Sequence, residues 1–340
     1  MGINRIQENA LKKANNKTKI DNLVKFIFAF LAFLCSSVVI FIVSFVIVKG
    51  IQPFFVPDGA GLTQSFSAFF QNNRWTYDGT GGMGYLALAT IFTTLCSLII
   101  SVPTSIFTAL FVVKICPKKL KEIIKSAIQI LSSIPSVIFG LFGMGVINPI
   151  VKNFANVFGA QTFGGNSVLS GIVVLAFMSI PTITLVSITS IEAVDNNLYK
   201  ASLALGASKE QTNYKIVLKA SQSGIFAGII LGIGRALGEA TAIQMVIGNG
   251  GSGMDFINPF NIYSTLTTTM LAGIGEASGI GYDVRFSLGI VLMLIIVTTN
   301  ILLNYLKDIM TRIEPKKKRD YFKFFKDIKI YYEAYKNGTK

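Results

Sequence analysis

The chain has 340 residues, 51% of them hydrophobic and only 14% charged, with a formal net charge of +14 and no histidine. Soluble domains carry roughly 25% charged residues, so this composition excludes a fully water-facing surface, and a mean hydropathy of +0.58 points to a membrane protein. The missing histidine removes histidine-ligated metal, haem, a zinc-type membrane protease and a histidine proton relay, and the basic excess does not indicate nucleic acid, because the cations lie between and beyond apolar blocks rather than on one soluble domain.

A membrane span needs about 20 apolar residues. Six segments reach that length: 26–48, 86–113, 123–147, 168–191, 224–247 and 286–306. The expected fold is therefore all-α with six transmembrane helices. Residues 1–25 form a basic leading segment with Arg5, Lys12, Lys13, Lys17, Lys19 and Lys25. The first apolar run is too long for a signal peptide, and no small-residue cleavage site follows it before Gln52-Pro53, so it is expected to remain as an anchor. Cys35, Cys96 and Cys116 are scattered without CxxC spacing. Cys35 and Cys96 fall in apolar blocks and read as small buried hydrophobes.

The loop 49–85 carries Trp75, Tyr77 and the Gly-rich run Asp78-Gly79-Thr80-Gly81-Gly82-Met83-Gly84. Such a loop suits docking of an external partner or, equally, a passive cover over the bundle. The next loop holds Lys114, Lys118, Lys119 and Lys121, with Lys125 at its edge. In the third and fourth spans, Ser133 and Ser136 flank Pro135, and Thr182 follows Pro181. Proline within a span frees backbone carbonyls, so these hydroxyls either line a polar path or merely satisfy the freed groups.

The loop after the fourth span reads Tyr199-Lys200-Ala201-Ser202-Leu203-Ala204-Leu205-Gly206-Ala207-Ser208-Lys209 and continues to Lys219. Leu198, Ala201 and Leu205, then Thr212 and Ile216, keep approximate helical spacing, interrupted at Gly206-Ala207. Gly206 tolerates the positive φ of a turn between two short helices. The pattern predicts a helix–turn–helix presenting a small apolar knob to a partner, or an amphipathic connector lying on the bilayer.

Within the fifth span Gly224, Gly228 and Gly232 recur every four residues, with Gly234 and Gly238 offset. Small residues at that spacing flatten one helix face for close packing. Arg235 and Glu239 would be neighbours on one helical face, and a rise of ~1.5 Å per residue puts Arg235 roughly 17 Å from the inner end. A charge at that depth costs at least ~2.5–3.5 kcal/mol and belongs in a protein interior or wet cavity. A guanidinium offers a planar fork of donors to an oxyanion. Arg235 then lies on an anion's path with Glu239 holding or gating it, or the two form a structural salt bridge.

The loop 248–285 opens with Gly248-Asn249-Gly250-Gly251-Ser252-Gly253. Its stretch 264–274 is too short to cross and is expected as an interfacial or re-entrant helix. After the last span come Lys307, Arg312, Lys316, Lys317, Lys318 and Arg319, and the tail 313–340 mixes cations with Tyr321, Phe322, Phe324 and Phe325. It reads as a helix lying on anionic lipid or as a solvated tail. The odd-numbered loops hold only Lys49, Arg74, Lys152 and, at a span edge, Arg285. This asymmetry predicts both termini on the cytoplasmic side of the cell membrane. No G-x-x-x-x-G-K-[ST] pattern occurs, so any ATP used must be bound by another chain.

The fourth loop resembles the cytoplasmic coupling motif of ABC importer permeases, roughly Glu-Ala-Ala, three residues, then Gly. Gly234-Arg235-Ala236-Leu237-Gly238-Glu239 is similar to the Gly-Arg-Ala-x-Gly-Glu signature of phosphate-specific permeases. Ser133-Ile134-Pro135-Ser136, Phe139-Gly140-Leu141, Ser179-Ile180-Pro181-Thr182 and Met245-Val246-Ile247-Gly248-Asn249 add to it. The last run favours the PstC-type subunit over its PstA-type partner. The resemblance spans about residues 20 to 312 and implies a type I, MetI-like permease domain at 26–312 with its coupling loop at about 192–222. It implies a non-enzymatic subunit translocating inorganic phosphate through Arg235, Glu239, Ser133, Ser136 and Thr182. Lys200, Ala201, Leu205, Gly206 and Ala207 would engage a cytoplasmic ATPase dimer, which binds the ATP and Mg. A PstA-type second permease, an external phosphate-binding protein and the lipid membrane complete the expected partners. Lys200 stands where the motif has Glu, and Lys219 where a Pro is usual, which puts the contacts with the ATPase in question. Competing readings are a sulfate or molybdate permease, the PstA-type partner, and a stand-alone channel or secondary transporter. An intramembrane enzyme lacks paired acids and a nucleophile motif.

Overall fold

In the computed structural model the chain is described at residues 2–55, 65–71, 75, 82–248, 250 and 258–311, with only the backbone for 2–20, 68, 71 and 311. The tail 313–340 and most of both Gly-rich runs lie outside the described residues. Among the described residues the chain is helical, apart from one isolated bridge between Phe163 and Asn166. The α-helices are α1 (Gly2–Phe55), α2 (Phe66–Gln71), α3 (Gly84–Leu110), α4 (Lys118–Ser133), α5 (Ser136–Phe142), α6 (Asn148–Val157) and α7 (Val168–Glu192). They continue with α8 (Asn196–Ala204), α9 (Lys209–Gln211), α10 (Leu218–Ala220), α11 (Gln222–Gly238), α12 (Thr241–Val246), α13 (Leu266–Leu271) and α14 (Ile280–Thr311). Short π-helical stretches at Phe111–Ile115, Gly143–Ile147 and Thr212–Val217 join α3 to α4, α5 to α6 and α9 to α10.

Among the described residues five helices are long and apolar enough to cross a membrane, and a sixth span results if the bent pair Lys209–Ala220 and Gln222–Gly238, angled at 66°, counts as one. Two of the six expected spans differ from expectation. The third does not run through 123–147. Pro135, at φ −56° and ψ 141°, has no N–H to give, and Ile134 before it is extended, so α4 stops at Ser133. The apolar helix instead runs over Ser136–Val157. α4 is amphipathic, with four lysines in its first half and Ile124 and Ile128 turned inward. The fifth span does not continue to 247, because α11 ends at Gly238 and the backbone at Glu239 and Ala240 is not helical. The short helix expected at 264–274 is present as α13.

The chain divides into two compact units. The first comprises Met1–Ser97, Pro135–Leu175 and Leu237–Ile295. Its core gathers Phe69, Tyr85, Leu86, Leu266, Ile280, Val284 and Leu288. Phe54 stacks edge-on against Phe66 and Phe69, at 5.5 and 5.3 Å between ring centres. Close backbone approach is written into this unit by Gly140, where a Cβ would lie 3.0 Å from the Ala242 Cα. Here α5 lies directly on α12. Residues 21–41 of α1 are exposed almost throughout, including Cys35, which is therefore not the buried hydrophobe expected.

The second unit comprises Leu98–Ile134, Ala176–Ala236 and Ile296–Lys340. Its core brings Ala109, Leu110 and Val112 together with Ile128, Ile188, Ile191, Val217 and Ile225. The glycine stripe of α11 packs on α7 as its spacing predicts. Gly224 faces Ser190, Gly228 faces Val186, and a Cβ at Gly232 would fall 2.6 Å from Ile183 Cγ1. Gly234 and Gly238 meet nothing within 4 Å. The stripe is therefore three glycines long.

Candidate functional site

Three groups of predicted residues are described, each within one unit. In the second unit Arg235 is half-buried on α11 and donates from Nη1 to Thr182 Oγ1 at 3.1 Å. Thr182 follows Pro181 on α7. Pro181 gives no N–H to the helical ladder, which leaves the carbonyl four residues back without that partner; separately, Thr184 and Ser105 both donate to Ile180 O, at 2.7 and 3.1 Å. An arginine held by a neutral hydroxyl keeps its positive charge unneutralised by that partner and its remaining N–H groups able to serve another acceptor. Ser133, by contrast, is exposed and donates to Gln129 O at 2.9 Å, one turn back on its own helix.

In the first unit Glu239 does not continue the helix that carries Arg235, so the expected four-residue spacing on one helical face does not hold. Its carboxylate turns to the start of α12 instead. Oε1 accepts from Ala242 N at 3.1 Å and from Thr241 Oγ1 at 2.9 Å. Thr241 Oγ1 also lies 2.9 Å from Ser136 Oγ, at the start of α5. The Glu239 carbonyl accepts from Thr267 Oγ1 at 2.9 Å. Thus Ser136, Thr241, Glu239 and Thr267 form one chain of hydrogen bonds. Thr241 and Thr267 were not picked out by sequence reasoning. The run Thr265-Leu266-Thr267-Thr268-Thr269 in a segment too short to span was the available signal.

The predicted coupling residues form the hairpin that their pattern implies. Asp195 caps α8 by accepting from Asn197 N at 2.9 Å. At the other end Gly206, with φ +86°, donates to Leu203 O at 3.0 Å, and Ala207 N to Ser202 O at 3.3 Å. This pair of bonds is a Schellman closure, which requires a left-handed residue at the glycine position. Ser208 and Gln211 then cap α9 reciprocally. Ser202 Oγ lies 2.9 Å from Thr212 Oγ1 and ties the two arms. Lys200, Ala201 and Gly206 are exposed, Ala207 is half-buried, and Leu205 projects with 90% of its surface free.

The root of this hairpin is fastened by charges that sequence reasoning counted only for topology. Lys121 and Lys125 of α4 clasp Glu192 at 2.9 and 3.1 Å, and the Lys114 ammonium sits 5.0 Å from the Tyr199 ring centre. A cavity of about 510 Å³ opens beside the root, lined by Ser190, Asp195, Leu198, Ser221 and Gly224 among others. Its serines are bonded to their own helices, Ser190 to Val186 O and Ser221 to Val217 O.

Comparison with known proteins bears on these groups together. The profile of the family described as "Binding-protein-dependent transport system inner membrane component" matches residues 101–315, which include Arg235, Glu239 and the whole hairpin. The chain is 31% identical over 261 residues to "Probable ABC transporter permease protein YqgH" of Bacillus subtilis (strain 168), covering 76% of this chain and 82% of that protein. It is 31% identical over 282 residues to "Phosphate transport system permease protein PstC" of Pasteurella multocida (strain Pm70), covering 76% and 85%. Among solved structures, a chain of a bacterial ABC transporter "involved in the import of the acidic polysaccharide alginate" superposes with a TM-score of 0.57 at 15% identity, covering 86% of this chain and all of that one. That likeness concerns the fold.

Proposed function

This chain belongs to the family of binding-protein-dependent transport system inner membrane components, and we propose that it is the PstC-type permease of an ATP-driven importer of inorganic phosphate. The observation that carries the reading is Arg235. It is a guanidinium in an apolar helix, oriented by the Thr182 hydroxyl at 3.1 Å, within a Gly-Arg-Ala-Leu-Gly-Glu run. Holding a charge in a span costs at least ~2.5–3.5 kcal/mol, and an oxyanion passing through would offset that cost while matching the planar donor fork. Relatives named as phosphate transport permeases support the choice of anion.

In this reading Arg235 and Thr182 meet the anion, and Glu239, with Ser136 and Thr241, forms the gate. Ser133 has its hydroxyl engaged on its own helix and serves as a weaker part of the path. Leu205, Gly206 and their neighbours Lys200, Ala201 and Ala207 are the knob that docks on a separate ATPase dimer. That partner binds ATP and Mg, and this chain performs no bond chemistry. A PstA-type permease is the second membrane subunit, and an external binding protein delivers phosphate. The lysine distribution supports cytoplasmic termini, with 1–25 and 313–340 flanking a permease domain at 26–312.

Labelled-phosphate uptake by a deletion strain expressing Arg235→Lys, with sulfate and molybdate as competitors, tests the proposal. Uptake should fall by about tenfold or more, because a point charge cannot replace a bidentate fork. Wild-type uptake by a normally assembled Arg235→Lys complex would refute the role of Arg235. Inhibition of the wild-type protein by sulfate or molybdate as strong as by unlabelled phosphate would refute the choice of anion.

A further inference from the structure

Arg285 lies near the start of α14 with 2% of its surface exposed. By sequence it is only one cation among the few outside the basic loops. In the structure it is a fastener. Nη1 donates to Gly281 O at 2.7 Å, one turn back on its own helix, and Nη2 donates to Ala272 O at 2.7 Å. Ala272 is the C-terminal capping residue of α13. Carbonyls at a helix C-terminus lack N–H partners and carry the negative end of the dipole. A buried guanidinium there supplies both donors and positive charge. Gly273 follows at φ +66°, and a Cβ on it would come 3.6 Å from Nη2, in ordinary contact with the guanidinium.

A helix of six residues has little stability of its own, so α13 is held by the packing of Leu266 in the core of the first unit and by what anchors its two ends. At its start, Thr265 and Thr268 cap each other, and Leu266 N donates to Thr90 Oγ1 at 2.9 Å. Arg285 holds its finish. Between these anchors Thr267 Oγ1 reaches the Glu239 carbonyl at 2.9 Å. That bond engages the carbonyl at which the backbone leaves α11, and it places Glu239 where its carboxylate can cap α12.

We propose that Arg285 is a positioning residue for Glu239, acting through α13 by keeping Thr267 against the Glu239 carbonyl. The proposal rests on the reading that Glu239 serves the anion path. Its planar fork is what spans two carbonyls on two elements; a lysine reaches one of them well and the other poorly.

A mutant cycle on the whole transporter in proteoliposomes, supplied with its ATPase and phosphate-loaded binding protein, tests this. Arg285→Met and Thr267→Val should each lower the maximal phosphate uptake rate about tenfold, and the double variant should fall no more than about twofold below the worse single. The half-saturating phosphate concentration should stay put, subunit content should match the wild type, and Arg285→Lys should recover part of the rate. Wild-type uptake by an assembled Arg285→Met complex would overturn the proposal. So would losses that multiply to about a hundredfold, since independent sites add in free energy. If Arg285→Met does not accumulate, Arg285→Lys paired with Thr267→Val runs the same cycle, and wild-type uptake or multiplying losses overturn the proposal there too. Glu239→Gln is measured alongside. Wild-type uptake by that variant would sink the gate reading and this proposal together, whereas multiplying losses with Glu239→Gln impaired would sink this proposal alone.

Discussion

The hairpin Asp195–Ser221 and the broken segment around Glu239 both interrupt apolar helices, but only the second is also held by hydrogen bonds from distant segments. Every bond that shapes the hairpin turn joins residues close in sequence: Asp195 to Asn197, Gly206 to Leu203, Ala207 to Ser202, Ser208 to Gln211 and Ser202 to Thr212. The break at Glu239 and Ala240 contains no glycine or proline, and Ala240 keeps φ −118° and ψ −46°. Its carbonyl bond comes from Thr267, and the Thr241 beside it is met by Ser136. One turn is written locally. The other joins a local cap, in which the Glu239 carboxylate accepts from Ala242 N and Thr241, to bonds from distant segments, and it is through those distant bonds that it can respond to their movement.

The sharpest way to break that contrast is Glu239→Ala. It removes an acceptor from Ala242 N and from Thr241 together with a charge, and hydrogen bonds to charged groups are worth ~1.5–3 kcal/mol each. Uptake should fall about a hundredfold, equivalent to ~2.7 kcal/mol. Glu239→Gln keeps an oxygen for the cap and loses the charge, and should remain about tenfold low. Equal uptake by Glu239→Gln and the wild type in a labelled-phosphate assay would reduce Glu239 to a helix cap.

The same contrast explains what could be read from the sequence. The hairpin was read from the sequence through Gly206 after an apolar residue, whereas the Ser208-x-x-Gln211 capping box, an equally short-range signal, came to light only in the structure. The packing stripe was legible at Gly224, Gly228 and Gly232 through simple periodicity. Gly234 and Gly238, offset from that period in the sequence, have no neighbour within 4 Å. Pro135 was seen as a source of free carbonyls, yet its larger effect is to end α4, which moves the third span onward to Val157. The Thr267 bond at the Glu239 carbonyl and the Arg285 bond to Ala272 were illegible because their partners lie 28 and 13 residues away on other elements. Composition carries no trace of such pairings.

A middle-sized effect is expected at Gly206. A β-branched residue at φ +86° opposes the left-handed conformation by about 1–2 kcal/mol. Gly206→Val should therefore loosen the Schellman closure and swing Leu205 off its position. Phosphate uptake should drop about tenfold while the assembled complex still hydrolyses ATP, because ~1.4 kcal/mol is a factor of ten. Gly206→Asn should recover most of the uptake, since asparagine tolerates that conformation. Recovery by valine, or failure by asparagine, would mean that the turn's handedness is irrelevant to coupling.

The smallest effect belongs to Ser208→Ala. The serine accepts from Gln211 N at 3.1 Å and starts the second arm, and loss of an N-cap costs typically ~1 kcal/mol. The thermal midpoint of the purified complex should fall by about 2–4 °C, and uptake should stay within about twofold of wild type. The reason is redundancy. With Ser208 gone, the Gly206 closure, the Asp195 cap and the Ser202–Thr212 bond still fix the knob from both sides. A segment held by several local devices tolerates the loss of one, whereas the Glu239 break has a single donor on its carbonyl among the described hydrogen bonds. If Ser208→Ala cost as much uptake as Glu239→Ala, the hairpin would not be a self-contained unit. Its shape would then depend on the surface it docks against, just as Glu239 depends on α13.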